Sequence, residues 1–279
     1  MADGTGQDVP LVAVAHGSRD PRAAATVEAL LDEVRRARPG LPVRTAYLDH
    51  ATPSLAQALR GLDEAVVLPL LLTEAYHSRV DLPAALNEAR ARNPRLRVRY
   101  GATLGPHPLL LTTLERRLTE AGVVIGDPDT AVVLVSAGSS DPRANGVIAR
   151  MARDWRRPAR SGAGLGVSAR SGFSGGSGFS GGSGAEGRGW WAVTAAYASA
   201  AEPTPAQAVA LLREAGAPRV AVAPYLLAPG YFADKVRRST LEAGADVVAD
   251  VLGPAPELAE VLLERYATAA RAPAGAAAS

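Results

Sequence analysis

One constraint outweighs the rest: the chain repeats itself, in order. His16-Gly-Ser-Arg-Asp-Pro-Arg-Ala recurs as Ala137-Gly-Ser-Ser-Asp-Pro-Arg-Ala, each directly after an apolar run. Tyr47 to Leu59, YLDHATPSLAQAL, matches Tyr197 to Val209, YASAAEPTPAQAV. LPLLL from Leu68 matches APYLL from Ala223, and LGPHPLL from Leu104 matches LGPAPEL from Leu252. Four matches in one order mean that a single structural unit is used twice. Between the first and second matches the offset grows from 121 to 150 residues. That increase equals the length of the stretch Ser161 to Gly189, in which 19 of 29 residues are Gly or Ser and FSGGSG occurs at Phe173 and again at Phe179. Such a segment buries too little surface to offset its ordering entropy and reads as a flexible linker or disordered surface loop. It therefore interrupts the second repeat, between its first helix and second strand, and does not divide the two repeats.

Within the first repeat, short apolar runs alternate with amphipathic Ala/Leu/Arg-rich stretches. Strands are predicted at Leu11 to Ala15, Val43 to Leu48, Ala65 to Leu71 and Leu96 to Gly101. Helices are predicted near Pro21 to Arg36, Pro53 to Arg60, Val80 to Ala91 and Pro108 to Ala121, several of them opening on proline, whose missing N–H costs nothing in the first turn. Strand–helix alternation favours parallel sheets covered on both faces. The expected fold class is α/β: two tandem repeated domains, 9–126 and 127–270, each a parallel sheet flanked by helices, the second interrupted at about 158–189. Functional loops belong at the carboxyl ends of the strands.

Composition narrows the chemistry. With 47% hydrophobic and 21% charged residues, a chain disordered throughout is excluded. Thirty basic against 28 acidic side chains leave too little charge for a nucleic-acid or membrane-surface protein. The arginines at 150, 153, 156 and 157 lack aromatic platforms and read as a solvated helix end. With no cysteine, thiolate metal sites and cysteine nucleophiles are impossible, so any metal must use His, Asp or Glu. The opening MADGTGQDVP has neither a basic start nor an apolar run, and a cytoplasmic location is expected.

All four histidines fall in the first repeat, and none survives at its match: His16 pairs with Ala137, His50 with Ala200, His77 with Phe232 and His107 with Ala255. The asymmetry assigns a reaction to one copy and scaffolding to the other. His16 follows the first strand, and His77 follows the third after Thr73-Glu-Ala-Tyr, so both are expected on one rim. Two imidazoles there suit a divalent metal or a proton-transfer pair. His50 is expected on the opposite face if its strand continues, and His107 lies in a loop opening a helix. Asp20 and Asp81 read as capping or salt-bridging residues, and Glu74 as a further carboxylate near the rim.

These pieces resemble the sirohydrochlorin chelatases of the CbiX/SirB type, class II chelatases that insert a divalent metal into a modified tetrapyrrole. The resemblance rests on the strand-HGSRDP opening at His16 to Pro21, the element Leu48 to Ser54, and PLLLTxxxHxxxDxP at Pro69 to Pro83. It implies two chelatase-like domains, the first catalytic and the second degenerate. It also implies metal-handling roles for His16 and His77, and matches a family glutamate to Asp49, a shorter carboxylate. The substrates implied are sirohydrochlorin and Fe²⁺ or Co²⁺, with no tightly bound cofactor. A neutral imidazole near its usual pKa of about 6.5 binds such an ion or accepts a displaced pyrrole proton. Arg19 and Arg79, close to the two histidines, are candidates for the peripheral carboxylates of the macrocycle. Iron insertion yielding sirohaem is the first expectation. A cobaltochelatase for cobalamin synthesis and a non-catalytic metal or tetrapyrrole carrier are the alternatives. A histidine phosphatase is disfavoured because Ala15, not arginine, precedes His16. A monomer or weak dimer is expected, with no nucleic-acid or membrane partner.

Overall fold

The computed structural model describes residues 8–73, 81–155 and 189–273. The Gly/Ser-rich insertion falls almost wholly outside them. The described residues form two four-stranded parallel sheets. In the first, β1 (Leu11–Ala15), β2 (Val43–Tyr47), β3 (Glu64–Pro69) and β4 (Arg97–Tyr100) lie in the order β2-β1-β3-β4. In the second, β5 (Thr130–Ser136), β6 (Ala192–Tyr197), β7 (Arg219–Tyr225) and β8 (Val247–Val248) lie in the order β6-β5-β7-β8. The central strands β1 and β5 are buried along their whole length, as expected of a parallel sheet covered on both faces.

The helices are α1 (Pro21–Ala37), α2 (Leu55–Ala58), α3 (Asp81–Arg92), α4 (Pro108–Glu120), α5 (Pro142–Trp155), α6 (Pro205–Glu214), α7 (Tyr231–Glu242) and α8 (Pro256–Arg271). Their ends follow from local chemistry. Asp20 caps α1 by accepting from the Arg22 backbone N–H at 2.9 Å, with Pro21 in the first turn. The short helix α2 begins two residues later than its proline suggests, because Ser54 and Gln57 form a reciprocal capping box, and Thr204 and Gln207 do the same before α6. The peptide bonds preceding Pro53 and Pro203 are both cis, so the copies agree in detail.

The largest apolar cluster lies between the two sheets. It joins Leu30, Leu31 and Val34 of α1, Leu110, Leu114 and Leu118 of α4, and Leu258, Leu262 and Tyr266 of α8 to residues of both sheets. Within it the last helix of each repeat crosses over: α4 packs on β7, and α8 packs on β3 and β4. Gly101 lies at the second crossing, where a Cβ would stand 3.1 Å from Ala269 Cβ of α8 and would have to displace the end of Leu68. Two smaller clusters cover the outer sheet faces, one under α2 and α3 and one under α6 and α7. Among the described residues no helix is long and apolar enough to cross a membrane.

Candidate active site

The loop leaving β1 carries His16, and its course is fixed by the neighbouring loop after β2. Leu48 N–H donates to Ala15 O at 3.1 Å and Asp49 N–H to His16 O at 2.9 Å, so the two segments stay zipped beyond the ends of their strands. Gly17 makes this possible. Its φ of +95° suits glycine, and an added Cβ would lie 1.7 Å from the Asp49 carbonyl oxygen. The second repeat reproduces the device with Gly138, at φ +83°, against the Ser199 carbonyl.

His16 is exposed and lines a cleft of about 860 Å³ between the two domains. One wall is the β1–α1 loop, with Arg19 exposed on it; the other is the β7–α7 loop and the first turn of α7, from Leu226 to Asp234. The walls are tied together by Arg22. Its guanidinium donates to Asp20 Oδ2 at 2.6 Å and to Asp234 Oδ2 at 2.6 Å, across the domain boundary. The Arg22 guanidinium and backbone N–H hold the Asp20 carboxyl below its ordinary range, while the two carboxylates push Arg22 further up.

His50 lines the same cleft as His16, contrary to the expectation that it faces away. Strand alternation fails here because β2 ends at Tyr47 and the chain turns, with His50 itself at φ +59°. Ala200 has the matching value of +58°, so the turn belongs to the repeat and not to the histidine. Asp49 is bound to this residue. Its Oδ1 accepts from the His50 backbone N–H at 2.7 Å, and its Oδ2 lies 3.2 Å from His50 Nε2. The Asp49 carboxylate is 61% exposed and is not among the residues lining the cleft.

His77 and Arg79 lie outside the described residues, as does Glu74; of the expected site residues that are described, His16 and Arg19 line the cleft, while the Asp49 side chain does not and meets His50 instead. Among the described residues no three His, Asp or Glu side chains form a metal-holding cluster. Asp20 caps and salt-bridges, as its position before a helix suggested. His107 caps α4 through Nδ1, which accepts from Leu109 N–H at 3.2 Å, and its Nε2 lies 3.0 Å from Glu264 Oε2 of α8. It is a structural residue at the helix crossing. The sequence reading missed Tyr231 and Phe232, whose rings stand exposed in the cleft wall. In the alignment of the two repeats Phe232 matches His77, a signal the sequence already carried.

The CbiX family profile matches residues 10–121 and 184–269, which takes in both repeats and passes over the insertion. The chain belongs to the CbiX/SirB family of class II sirohydrochlorin chelatases, metal-inserting lyases. A sirohydrochlorin cobaltochelatase of Priestia megaterium is 33% identical over 50% of this chain, a match spanning 48% of that protein. A sirohydrochlorin ferrochelatase of the same organism is 25% identical over 91% of this chain and 88% of its own length. In fold the chain is similar to SirB from Bacillus subtilis with Fe³⁺, at a TM-score of 0.72 and 20% identity over 95% of this chain and 96% of that one. As a CbiX/SirB chain it presents its first-repeat histidine loop to an interdomain opening.

Proposed function

We propose that the chain inserts Fe²⁺ into sirohydrochlorin to give sirohaem, with the catalytic unit in residues 9–126 and a degenerate partner unit in 127–270. The observation that carries this reading is that His16 opens on an interdomain cleft of about 860 Å³, a size in the upper range for small-molecule sites, in a chain of this family. The cation is a substrate. It must be held loosely enough to pass on, and imidazole with carboxylate does so where closed thiolate sites do not.

In this reading His16 and His77 receive the metal and accept the protons displaced from the pyrrole nitrogens, a task suited to neutral imidazoles at neutral pH. Asp49 acts as carboxylate ligand or proton relay, and its contacts favour a relay through His50. Arg19 on the cleft wall, and Arg79 beside His77, would pair with peripheral carboxylates of the macrocycle.

Iron is favoured because the ferrochelatase relative matches across 91% of the chain, whereas the cobaltochelatase relative matches over half. Cobalt insertion is the second reading, since its match is the more identical one and these ligands do not discriminate the two ions. A metal-by-metal insertion assay on sirohydrochlorin, followed by absorbance, tests both. Many turnovers with Fe²⁺ are expected, and a stop at one equivalent would mark a carrier. His16→Ala and His77→Ala should each abolish insertion with the circular dichroism unchanged; turnover retained in both would refute the site.

A further inference from the structure

Large apolar side chains are costly to leave in water. Among the described residues the exposed large hydrophobics include two aromatics, Tyr231 at 72% and Phe232 at 40% exposure, adjacent in sequence. Their rings meet edge to face, with centroids 5.7 Å apart and planes at 67°. Neither is scattered on an outer surface. Both occupy the first turn of α7 and line the cleft opposite His16 and Arg19. The backbone there lies against the histidine loop at ordinary packing distance: a Cβ on Gly230 would stand 3.9 Å from Asp20 Cβ and 4.0 Å from Ser18 Oγ.

We infer that Tyr231 and Phe232 form a binding platform, contributed by the second repeat, for the flat face of a conjugated macrocycle whose edge carries carboxylates. The inference rests on the chelatase reading and gives the histidine-free repeat a task. Conjugated rings stack on aromatic side chains through their π faces, with an energy beyond area burial. The location decides the occupant. A second protein copy would need a broad, accessible patch, whereas these rings sit inside a concave cleft with the His16 imidazole and the Arg19 guanidinium on its far wall. That combination suits a disc, apolar on its face and anionic at its rim. The repeat comparison agrees: where the first copy has His77, the second has a ring that binds no metal but offers a surface. The platform is a positioning element, and the displaced protons go to the first repeat.

The test titrates metal-free sirohydrochlorin into the full chain without metal, following absorbance, for the wild type, Phe232→Leu and the double variant Tyr231→Ala/Phe232→Ala. Both rings are exposed, so the variants should keep the wild-type circular dichroism and melting. The double variant should bind about 10-fold or more weakly, as removal of stacking rings does elsewhere. Phe232→Leu, which keeps apolar bulk without the ring, should fall between. In steady state the loss should appear in KM for the macrocycle, with kcat largely kept. Wild-type affinity in a folded double variant, alongside normal turnover by the wild type, would overturn the platform and leave the chelatase reading standing. Failure of the wild type itself to bind or metallate sirohydrochlorin would overturn both.

Discussion

Arg117 and Arg265 occupy the same place in the two repeats, and each reaches across to the loop that follows the other repeat's last strand. Arg117 Nη2 donates to Leu252 O at 2.8 Å and its Nε to the same oxygen at 3.1 Å. Arg265 Nε donates to Thr103 O at 3.0 Å and its Nη2 to Leu104 O at 3.4 Å. This reciprocal exchange accompanies the crossing of α4 and α8, and it makes each repeat's closing loop depend on the other's helix. Arg117→Ala or Arg265→Ala should therefore cost about 2 kcal/mol, the usual worth of a charged hydrogen bond to a largely buried carbonyl. Urea unfolding should show a single cooperative transition at a lower midpoint for each. Two separated transitions would mean that the repeats do not depend on each other.

Gly17 allows the histidine loop to lie against Asp49. Gly17→Ala would place a methyl 1.7 Å from the Asp49 carbonyl oxygen at a φ of +95°, and the expected cost is on the order of 3 kcal/mol. Thermal unfolding measures the stability loss. Insertion should fall as well, even where the fold survives at low temperature, because the backbone of His16 moves with the loop.

Much of this was legible in the sequence, for identifiable reasons. β1 and α1 were found within a residue because an apolar run, then Asp20 and Pro21, mark their limits in any context. The placing of the His16 loop followed from parallel-sheet topology. The crossing of α4 and α8 was not legible, since it depends on contacts between residues more than a hundred positions apart and α4 would be amphipathic on either sheet. His50 was misplaced because alternation was extended past Tyr47, where the chain leaves the strand. The helix after Pro53 was read too long because proline marked its start, whereas Ser54 sets it. The pair Tyr231 and Phe232 carries no motif of its own, and only its exposure in the cleft wall sets it apart from an ordinary helix start.

The carboxylate of Asp49 and the ring of His50 should act as one unit. Asp49→Ala and His50→Ala are each expected to lower insertion by about 10- to 100-fold, as loss of a partner that orients a site histidine does. The double variant should be little worse than either single one, because the two effects share a contact. Independent, multiplying losses in kcat/KM would break the relay.

The Arg22 link across the cleft carries a pH signature. Its guanidinium holds the folded-state Asp20 carboxyl below the ordinary value, so the stability it contributes is present above the unfolded pKa and lost as pH falls through the lowered folded one. The stability difference between wild type and Arg22→Gln should be full at neutral pH and shrink below about pH 4. Chemical denaturation across that range checks it, and a difference that persists unchanged in acid would contradict the assignment. The pair is exposed, so added salt should also weaken it.

The most direct test compares His16→Ala with the wild type at saturating sirohydrochlorin, measuring the rate of metal insertion and the affinity for the metal-free macrocycle on the same samples. Insertion should fall about 100-fold or more, while macrocycle affinity stays within a few-fold of the wild type. Insertion at the wild-type rate by a folded His16→Ala chain would contradict the account.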